Sequence, residues 1–225
     1  MKKYLHTALG IAICVSLAAC HSDDDDDDPV VVDPPAPTPT TLDITGSAIK
    51  GTLANAMVEV FAASDLTTAV GSAAQTDASG NFSVTITDSA GNPITGAFYI
   101  VVSADDDTTM VCDATTCGST ARGGTVEAAD LEGLTLSSMV YADGTATALT
   151  GNVNAITTLA SDAMIAAAED NANISLGTVT MDGFESLQLS ASQLVAGMVG
   201  LTLAADTNVF NVGIVDASVA ANVPA

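Results

Sequence analysis

The sequence predicts an α+β protein in which an N-terminal antiparallel β-sandwich is followed by a small α-helical C-terminal region. Between residues 42 and 141, apolar and polar residues alternate in short runs, a pattern typical of half-buried strands. Turn residues separate these runs at intervals of about ten residues, which favours a sandwich. From residue 152 the apolar spacing changes to three and four, which indicates helices. The predicted segments are a signal peptide (1–19), a tether (20–40), a β-sandwich domain (41–145) and a helical region (146–225).

The first nineteen residues have the features of a bacterial export signal. Two lysines precede an apolar stretch from Leu9 to Ala19 that is too short to cross a membrane as a helix. The stretch runs into Leu-Ala-Ala-Cys at residues 17–20, which resembles the lipobox of bacterial lipoproteins. This resemblance implies cleavage before Cys20, diacylation of Cys20 and attachment to a membrane through the lipid. An ordinary secretory signal that contains a cysteine near its cleavage site is the alternative interpretation.

The residues after Cys20 predict an extended tether and a location in the cell. Six consecutive aspartates (Asp23–Asp28) and a proline-rich stretch disfavour collapse, so residues 20–40 are expected to be an extended spacer. By analogy with lipoprotein sorting in Gram-negative bacteria, His21 at the second mature position favours the outer membrane. Ser22 and the aspartate run resemble the surface-export signal of some bacterial lipoproteins. The cell surface is therefore the expected location, with the periplasmic face as the alternative.

Three runs predict the central strands of the sandwich. Residues 56–61 alternate, residues 81–87 alternate more clearly, and residues 97–103 form a nearly continuous apolar run suited to a central strand. In the second run, Phe82, Val84 and Ile86 are expected to face the core. Turn residues at 77–81 and 88–93 separate the runs, and Asp77 is interpreted as stabilising its turn rather than binding a metal. The apolar run 134–141 is expected to join the sandwich to the helices.

Residues 49–61 and 76–84 together resemble the carboxypeptidase regulatory-like, prealbumin-type β-sandwich family. The first segment reads Ile-Lys-Gly-Thr-Leu-Ala-Asn-Ala-Met-Val-Glu-Val-Phe, and the second reads Thr-Asp-Ala-Ser-Gly-Asn-Phe-Ser-Val. The resemblance implies a prealbumin or immunoglobulin-like sandwich, common in bacterial surface and secreted proteins. The stretch is also similar to uncharacterised surface lipoproteins that carry one such domain and a helical C-terminal part. It carries no expectation about activity, because the motif consists of turn and strand residues.

Cys112 and Cys117 are the only cysteines of the expected mature chain besides Cys20. Export to an oxidising compartment makes a disulfide the expected state of this pair. Closing so short a loop contributes about 2 kcal/mol in the chain-entropy model. Four intervening residues do not match a Cys-x-x-Cys redox pair, and a zinc site would need two more His or Cys ligands.

Four aspartates near this loop are the candidate metal ligands of the folded part. Asp105, Asp106 and Asp107 precede the loop, and Asp113 lies inside it. Calcium takes six to eight oxygen ligands from carboxylates and carbonyls, so these residues are a candidate calcium site. A solvated hairpin tip is the alternative, since the EF-hand pattern is absent. Paired carboxylates also suit a glycosidase, but their separation cannot be read from sequence.

The apolar spacing predicts two helices in the C-terminal third. The first spans residues 152–170. Its expected buried face consists of Val153, Ile156, Leu159, Ala160, Ala163, Met164 and Ala167, and its expected polar face of Asn154, Thr157, Thr158, Ser161, Asp162 and Glu169. The second is predicted to begin at Ser190, with Gln193 completing a capping box, and to end at Val199 before Gly200. Met164 and Met198 are interpreted as core residues. A shortened form of a longer protein, whose further helices complete the bundle, stays open as an interpretation.

The composition excludes several classes of function. The formal net charge is −23, from 27 acidic and 4 basic residues, and Lys50 and Arg122 are the only basic residues of the expected mature chain. So acidic a surface repels nucleic acid, which binds clustered lysine and arginine. Both histidines lie within the first 21 residues, so the folded part has none for a Ser-His-Asp triad or a His-ligated metal.

These observations favour a non-catalytic cell-envelope lipoprotein without a cofactor. Its expected partners are the membrane, through the lipid at Cys20, and other envelope or extracellular proteins in structural or adhesive contacts. The alternative is a carboxylate-based, calcium-dependent surface binding protein or hydrolase, with calcium at the aspartates described above.

Overall fold

The computed structural model of the protein describes residues 37–212, which belong to one compact unit beginning at Pro37. The expected signal, Cys20 and nearly all of the expected tether lie outside the described residues. The strands are β1 (Thr40–Ile49), β2 (Leu53–Ala54), β3 (Met57–Ala62), β4 (Asp65–Ala69), β5 (Ala74–Gln75), β6 (Asn81–Asp88), β7 (Thr95–Ser103), β8 (Thr109–Val111), β9 (Thr116–Cys117), β10 (Thr120–Ala121), β11 (Thr125–Val126), β12 (Thr135–Asp143), β13 (Ala148–Thr150) and β14 (Val153–Asn154). The helices are α1 (Ala155–Asp170) and α2 (Met181–Val199), and 3₁₀ turns occupy Ala128–Asp130 and Val209–Asn211.

The first sheet is built around β1. Strand β6 pairs with β1 antiparallel, whereas β13 and β14 both run parallel to it. Strand β6 has the strict alternation that the sequence predicts, with Phe82, Val84 and Ile86 buried and the residues between them exposed. The turn before β6 also forms as predicted: the Asp77 carboxylate accepts from the backbone N–H groups of Ser79 and Asn81, each at 2.8 Å.

The second sheet has the strand order β12-β7-β3-β4, with β5 also paired to β3, and all its pairs are antiparallel. Strand β7 lies between β12 and β3, as its continuous apolar run predicts. Two small sheets complete the fold, one formed by β11, β8 and β2 and one by β9 and β10. Strand β12 is therefore an edge strand of the second sheet, and this position shapes the candidate site.

Two hydrophobic cores lie on opposite faces of the second sheet. The core between the sheets includes Leu42, Ile44, Val58, Val60, Phe82, Val84, Ile100, Val102, Leu136, Val140 and Val153. The core between the second sheet and the helices includes Ala97, Met139, Ala160, Met164, Phe184, Ala191, Val195, Val209 and Phe210. Strands β7 and β12 contribute to both cores, which explains why neither alternates in the sequence. The α+β prediction is confirmed as a β-rich sandwich followed by two helices, which form a third layer.

Helix α1 is present as predicted, but its buried face differs from the predicted one. Asn154 caps the helix by accepting from the backbone N–H groups of Ile156 and Thr157 at 2.9 and 3.0 Å. Thr157 and Ser161 were expected on the polar face and are buried, whereas Leu159 was expected in the core and is exposed. For Thr157 the reason is that α1 packs against β12, where the Thr157 hydroxyl donates to the Ser137 carbonyl. The Ser161 hydroxyl is buried without a hydrogen-bond partner among the described residues.

Helix α2 begins nine residues before the predicted start at Ser190. Its first residue is Met181, and Thr180 caps it by accepting from the N–H of Gly183. Ser190 lies inside the helix, where its hydroxyl donates to the Ser186 carbonyl at 2.9 Å, a bond that makes serine compatible with a helix interior. The predicted end is confirmed, since Gly200 takes the left-handed conformation with φ of 73°. Met198, expected in the core, is 66% exposed, whereas Met164 is buried as expected.

Candidate functional site

The two mature-chain cysteines come together at one end of the sandwich. The sulfur atoms of Cys112 and Cys117 lie at disulfide distance, with the Cα atoms 5.7 Å apart. Cys112 is completely buried, and its backbone N–H and C=O pair with Gly124 and Gly123. The pair therefore fastens the β9–β10 hairpin to the core between the sheets, which is a structural role.

The four candidate calcium ligands take part in two separate local structures. The Asp105 carboxylate accepts from the backbone N–H of Asp107 at 3.1 Å and from the Thr108 hydroxyl at 2.9 Å, which closes a tight turn. The Asp113 carboxylate accepts from the backbone N–H of Gly51 at 2.9 Å, which stabilises the turn between β1 and β2. Within residues 37–212, no three His, Cys, Asp or Glu side chains form a group suited to a metal ion.

A cleft of about 610 Å³ lies beside the Cys112–Cys117 loop. Its walls include Lys50, Asp113, Asp130, Glu132 and Cys117, so three carboxylates and one ammonium group border it. This is where the structure brings one of the predicted ligands, Asp113, near other charged side chains. The remaining candidate ligands, residues 105–107, do not line the cleft.

A second concavity, of about 380 Å³, follows the outer edge of β12, and we refer to it as the β12 groove. One wall is Leu149 and Thr150 of β13. The opposite wall comes from α2 and the segment after it, and consists of Met181, Phe184, Glu185, Gln188, Leu189, Asp206, Asn208, Phe210 and Asn211. The floor is Ser138, Met139, Val140 and Tyr141 of β12 itself. The groove thus lies where the open side of the sandwich meets the helical layer.

Side-chain hydroxyl and amide groups hold part of the β12 edge. The Ser137 N–H donates to the Thr158 hydroxyl at 2.8 Å, and the Ser137 carbonyl accepts from the Thr157 hydroxyl at 2.7 Å. Further along, the Gln188 side-chain amide donates to the Met139 carbonyl at 3.1 Å, and Gln188 in turn accepts from Asn208 at 2.8 Å. Both helices are therefore joined to the edge strand by polar contacts as well as by the apolar core.

Aromatic packing beside the groove and a turn carboxylate stabilise the C-terminal end of β12. The rings of Tyr141 and Phe184 lie 5.4 Å apart, and the Tyr141 hydroxyl donates to the Val179 carbonyl at 3.2 Å. At the end of β12, hydrogen bonds from the backbone N–H and hydroxyl of Thr145 lower the pKa of Asp143 below its ordinary value. Strand β12 thus ends in a turn that a charged carboxylate stabilises.

Sequence reasoning did not find the β12 groove. Two of its polar members, Gln188 and Asn208, lie in segments of the chain that form no recognisable motif. One signal was present in the sequence: residues 136–142 do not alternate, which indicates a strand covered on both faces. The position of β12 at the edge of its sheet depends on long-range pairing, which that signal does not reveal.

Comparisons with known proteins add no assignment. Neither the models of protein families nor the sequences of curated proteins match this chain. Among the described residues, neither α1 nor α2 combines the length and apolar character that a membrane-crossing helix needs.

Proposed function

We propose that this protein is a non-catalytic lipoprotein of the bacterial cell envelope, which presents its sandwich for structural or adhesive contacts. The lipid at Cys20 anchors it in the outer membrane, with the folded unit at the cell surface. The observation that carries the proposal is the order of segments: an apolar stretch ending in Leu-Ala-Ala-Cys, an acidic and proline-rich stretch, and a compact unit that begins at Pro37. A lipid anchor followed by a spacer suits a domain that meets partners away from the membrane.

The charge and composition of the folded unit suit contacts with other proteins. Beyond the aspartate run and Asp33, 20 acidic residues accompany Lys50 and Arg122 as the only basic ones. Such a charge favours soluble, monodisperse behaviour and attraction of basic partners. The sequence supplies no histidine after His21, which removes the commonest general acid and base.

The anchor is tested by replacing Cys20 with serine and fractionating cells. We expect the Cys20→Ser protein to leave the membrane fraction and to lose incorporation of labelled palmitate. A Cys112→Ser/Cys117→Ser double variant is the matched control, because it replaces two cysteines by serine without changing the expected lipidation site. Unchanged membrane association of the Cys20→Ser protein would contradict the proposal.

Surface exposure is tested separately by adding a protease to intact cells. The proposal expects cleavage of the folded unit while a periplasmic reference protein stays whole. Protection in intact cells, followed by cleavage once the outer membrane is permeabilised, would assign the protein to the periplasmic face.

The alternative, a calcium-dependent binding protein or hydrolase, is tested by thermal unfolding. Because Asp105 and Asp113 accept hydrogen bonds in separate turns, we expect millimolar calcium to leave the unfolding midpoint unchanged. A ligand that binds only the folded state raises the midpoint in proportion to its occupancy. A rise that a chelator reverses, and that Asp113→Asn removes, would favour the calcium-dependent alternative.

A further inference from the structure

The last two turns of α2 carry an apolar patch that the described residues leave uncovered. It consists of Leu194, Met198, Val199 and, just after the helix, Leu201, and we refer to it as the α2 end patch. These side chains are between 43% and 66% exposed. They are four of the nine large apolar side chains exposed within residues 37–212, and they lie within eight consecutive positions. A contiguous apolar patch, unlike scattered single side chains, indicates an interaction site.

The patch continues the buried face of α2 past the end of the core. Val195 is buried and belongs to the core between the second sheet and the helices. Met198 and Val199 follow Val195 by three and four residues, the spacing that keeps side chains on one face of a helix. Both are nevertheless exposed among the described residues. The amphipathic pattern of α2 therefore extends one turn further than the core that it contacts, which leaves this turn for a partner.

Small residues on one side of α2 permit another helix to approach closely. Ser190 and Gly197 are seven residues apart, so they lie on the same side of the helix, with Leu194 between them. Both are exposed, and a Cβ atom added at Gly197 meets no neighbouring atom within 4 Å. Glycine destabilises a helix interior relative to alanine, so Gly197 brings no stability to α2 itself. Two helices lie closest where the side chains at their contact are small.

The distribution of charge favours a second copy of this chain as the partner. The sequence has no charged residue between Glu185 and Asp206. Glu185 precedes Leu194 by nine residues, which is two and a half turns, so the two side chains lie on opposite sides of α2. Beyond the aspartate run and Asp33, the chain carries 20 acidic residues and two basic ones. Contacts between most other faces of two copies therefore bring like charges together, whereas the uncharged α2 end patch is compatible with its own copy.

We propose that two copies of this protein associate through the α2 end patch, with their α2 helices crossing antiparallel at Gly197 about a two-fold axis. A two-fold interface is self-complementary, so apolar side chains of one copy meet those of the other and the two glycines face each other. Glu185 lies twelve residues from Gly197, about 18 Å along the helix. In the antiparallel arrangement the acidic first turns of the two helices point away from each other. Charges so far apart are screened, since the Debye length is about 8 Å at physiological ionic strength.

The small size of the patch sets the expected strength of the pair. Four apolar side chains per copy are few against the roughly 20–30 residues per side of a standard interface. We therefore expect a weak dimer with a Kd on the order of 100 μM, and a monomer at low micromolar concentration. Copies that share one membrane have a higher effective concentration, which favours weak pairs. This effect at the membrane rests on the proposed function, whereas pairing in solution does not depend on the anchor.

Sedimentation velocity tests the pairing with the full chain carrying Cys20→Ser, from about 5 μM to about 1 mM, a range that brackets the expected Kd. We expect the average mass to rise from one copy toward two. Leu194→Gln/Met198→Gln should raise the Kd about tenfold or more. The matched control is Met57→Gln/Met181→Gln, which changes two exposed methionines elsewhere and should leave the Kd unchanged. A monomer throughout the range, or equal effects of the two double variants, would overturn the proposal.

The N-terminal residues are the same in every variant. Association through those residues would not respond to substitutions in α2, so a response assigns the contact to the patch.

Gly197→Leu separates a specific helix crossing from general apolar attraction. Leucine adds apolar surface and favours the helix, so it strengthens non-specific association. At a close crossing the leucine side chain instead holds the two helices apart, and we expect the Kd to rise about tenfold. Tighter association of the Gly197→Leu protein would refute the proposal.

Further full-chain variants test the orientation and the occupant. Gly197→Cys places the new thiols of two copies side by side at the axis, so mild oxidation should give a covalent dimer, whereas Met181→Cys should not. Equal cross-linking at both positions would contradict the antiparallel pair. Val215→Gln/Val219→Gln should leave the Kd unchanged. A Kd about tenfold lower in that variant would mean that residues 213–225 cover the patch in the unaltered chain, which also overturns the proposal.

Discussion

Replacing Thr157 with valine removes one buried hydroxyl and keeps the branched shape of the side chain. Thr157 is completely buried in the first turn of α1. Its hydroxyl donates to the Ser137 carbonyl on β12 at 2.7 Å and accepts from the Asn154 N–H at 2.9 Å. The substitution therefore removes the hydrogen bond between α1 and the edge of β12. It also removes one of the hydrogen bonds of the capping box, the one from the Asn154 N–H to the Thr157 hydroxyl.

The size of the effect follows from the two groups that lose their partner. The Ser137 carbonyl keeps only a long contact of 3.4 Å from the Thr158 hydroxyl, and the buried Asn154 N–H keeps none among the described residues. Each buried polar group left without a hydrogen bond costs about 1–3 kcal/mol. We expect the free energy of unfolding to fall by about 2–4 kcal/mol, which lowers Tm by roughly 10 °C for a chain of this size.

Denaturant unfolding followed by circular dichroism measures this change. Thr147→Val is the matched control, because Thr147 is exposed and its side chain makes none of the described hydrogen bonds. A surface substitution of this kind changes stability by less than about 0.5 kcal/mol. If Thr157→Val stays within that range of its control, the Thr157 hydroxyl does not join α1 to β12 as argued.

Three further predictions concern the disulfide, the helical layer and pH. The Cys112→Ser/Cys117→Ser variant should lose about 2 kcal/mol of stability, measured by its denaturant midpoint, because opening the loop frees the unfolded chain; an unchanged midpoint would contradict this. Phe184→Ala should cost about 3–5 kcal/mol, since its ring is 2% exposed, whereas Met198→Ala should be nearly neutral; equal effects would contradict the packing of α2. The N–H groups of Asn81 and Ser79 lower the pKa of Asp77, so the folded state binds fewer protons there than the unfolded state. Stability should therefore fall as pH drops below about 4, and Asp77→Asn should flatten that fall in Tm.

The strands and turns were predictable because their signals are local. Alternation over residues 81–87 assigns each side chain to a face without knowledge of any partner strand, and β6 has that assignment. The Asp77 turn uses groups two and four residues away, so its chemistry is also visible in the sequence. The disulfide pair belongs to the same class, since its two cysteines lie close in the chain.

The helical faces were less predictable because hydroxyl burial depends on distant partners. A spacing rule places Leu159 in the core and Thr157 outside it, since it weighs only apolar character. In the fold, Thr157 meets the Ser137 carbonyl, twenty residues away, and that hydrogen bond makes its burial favourable. The same limitation applies to Ser190. The sequence pattern predicts the start of a helix there, but Ser190 lies within α2, where its hydroxyl donates a hydrogen bond to the Ser186 carbonyl.

The candidate sites show the same difference between local signals, which the sequence contains, and long-range pairing, which it does not reveal. The sequence identified residues 105–107 and Asp113 as one group, and the fold places Asp105 and Asp113 in two different turns. It did not indicate the β12 groove, whose two walls come from β13 and α2. Those walls meet because β13 runs parallel to β1, a pairing between residues about a hundred positions apart. Local spacing contains no information about such a pairing.

The sequence by itself determined the α+β class, the position of the central strands, the turn chemistry and the end of α2, whereas the anchor at Cys20 stays a prediction. Each of these depends on residues within one turn, one strand or one short motif. Only the tertiary structure decided that the helices cover the second sheet, that β12 is its edge, and that Thr157, Thr158 and Gln188 bind the backbone of β12. The physical reason is that hydrogen bonding at a sheet edge and packing between layers are satisfied by partners far apart in the chain.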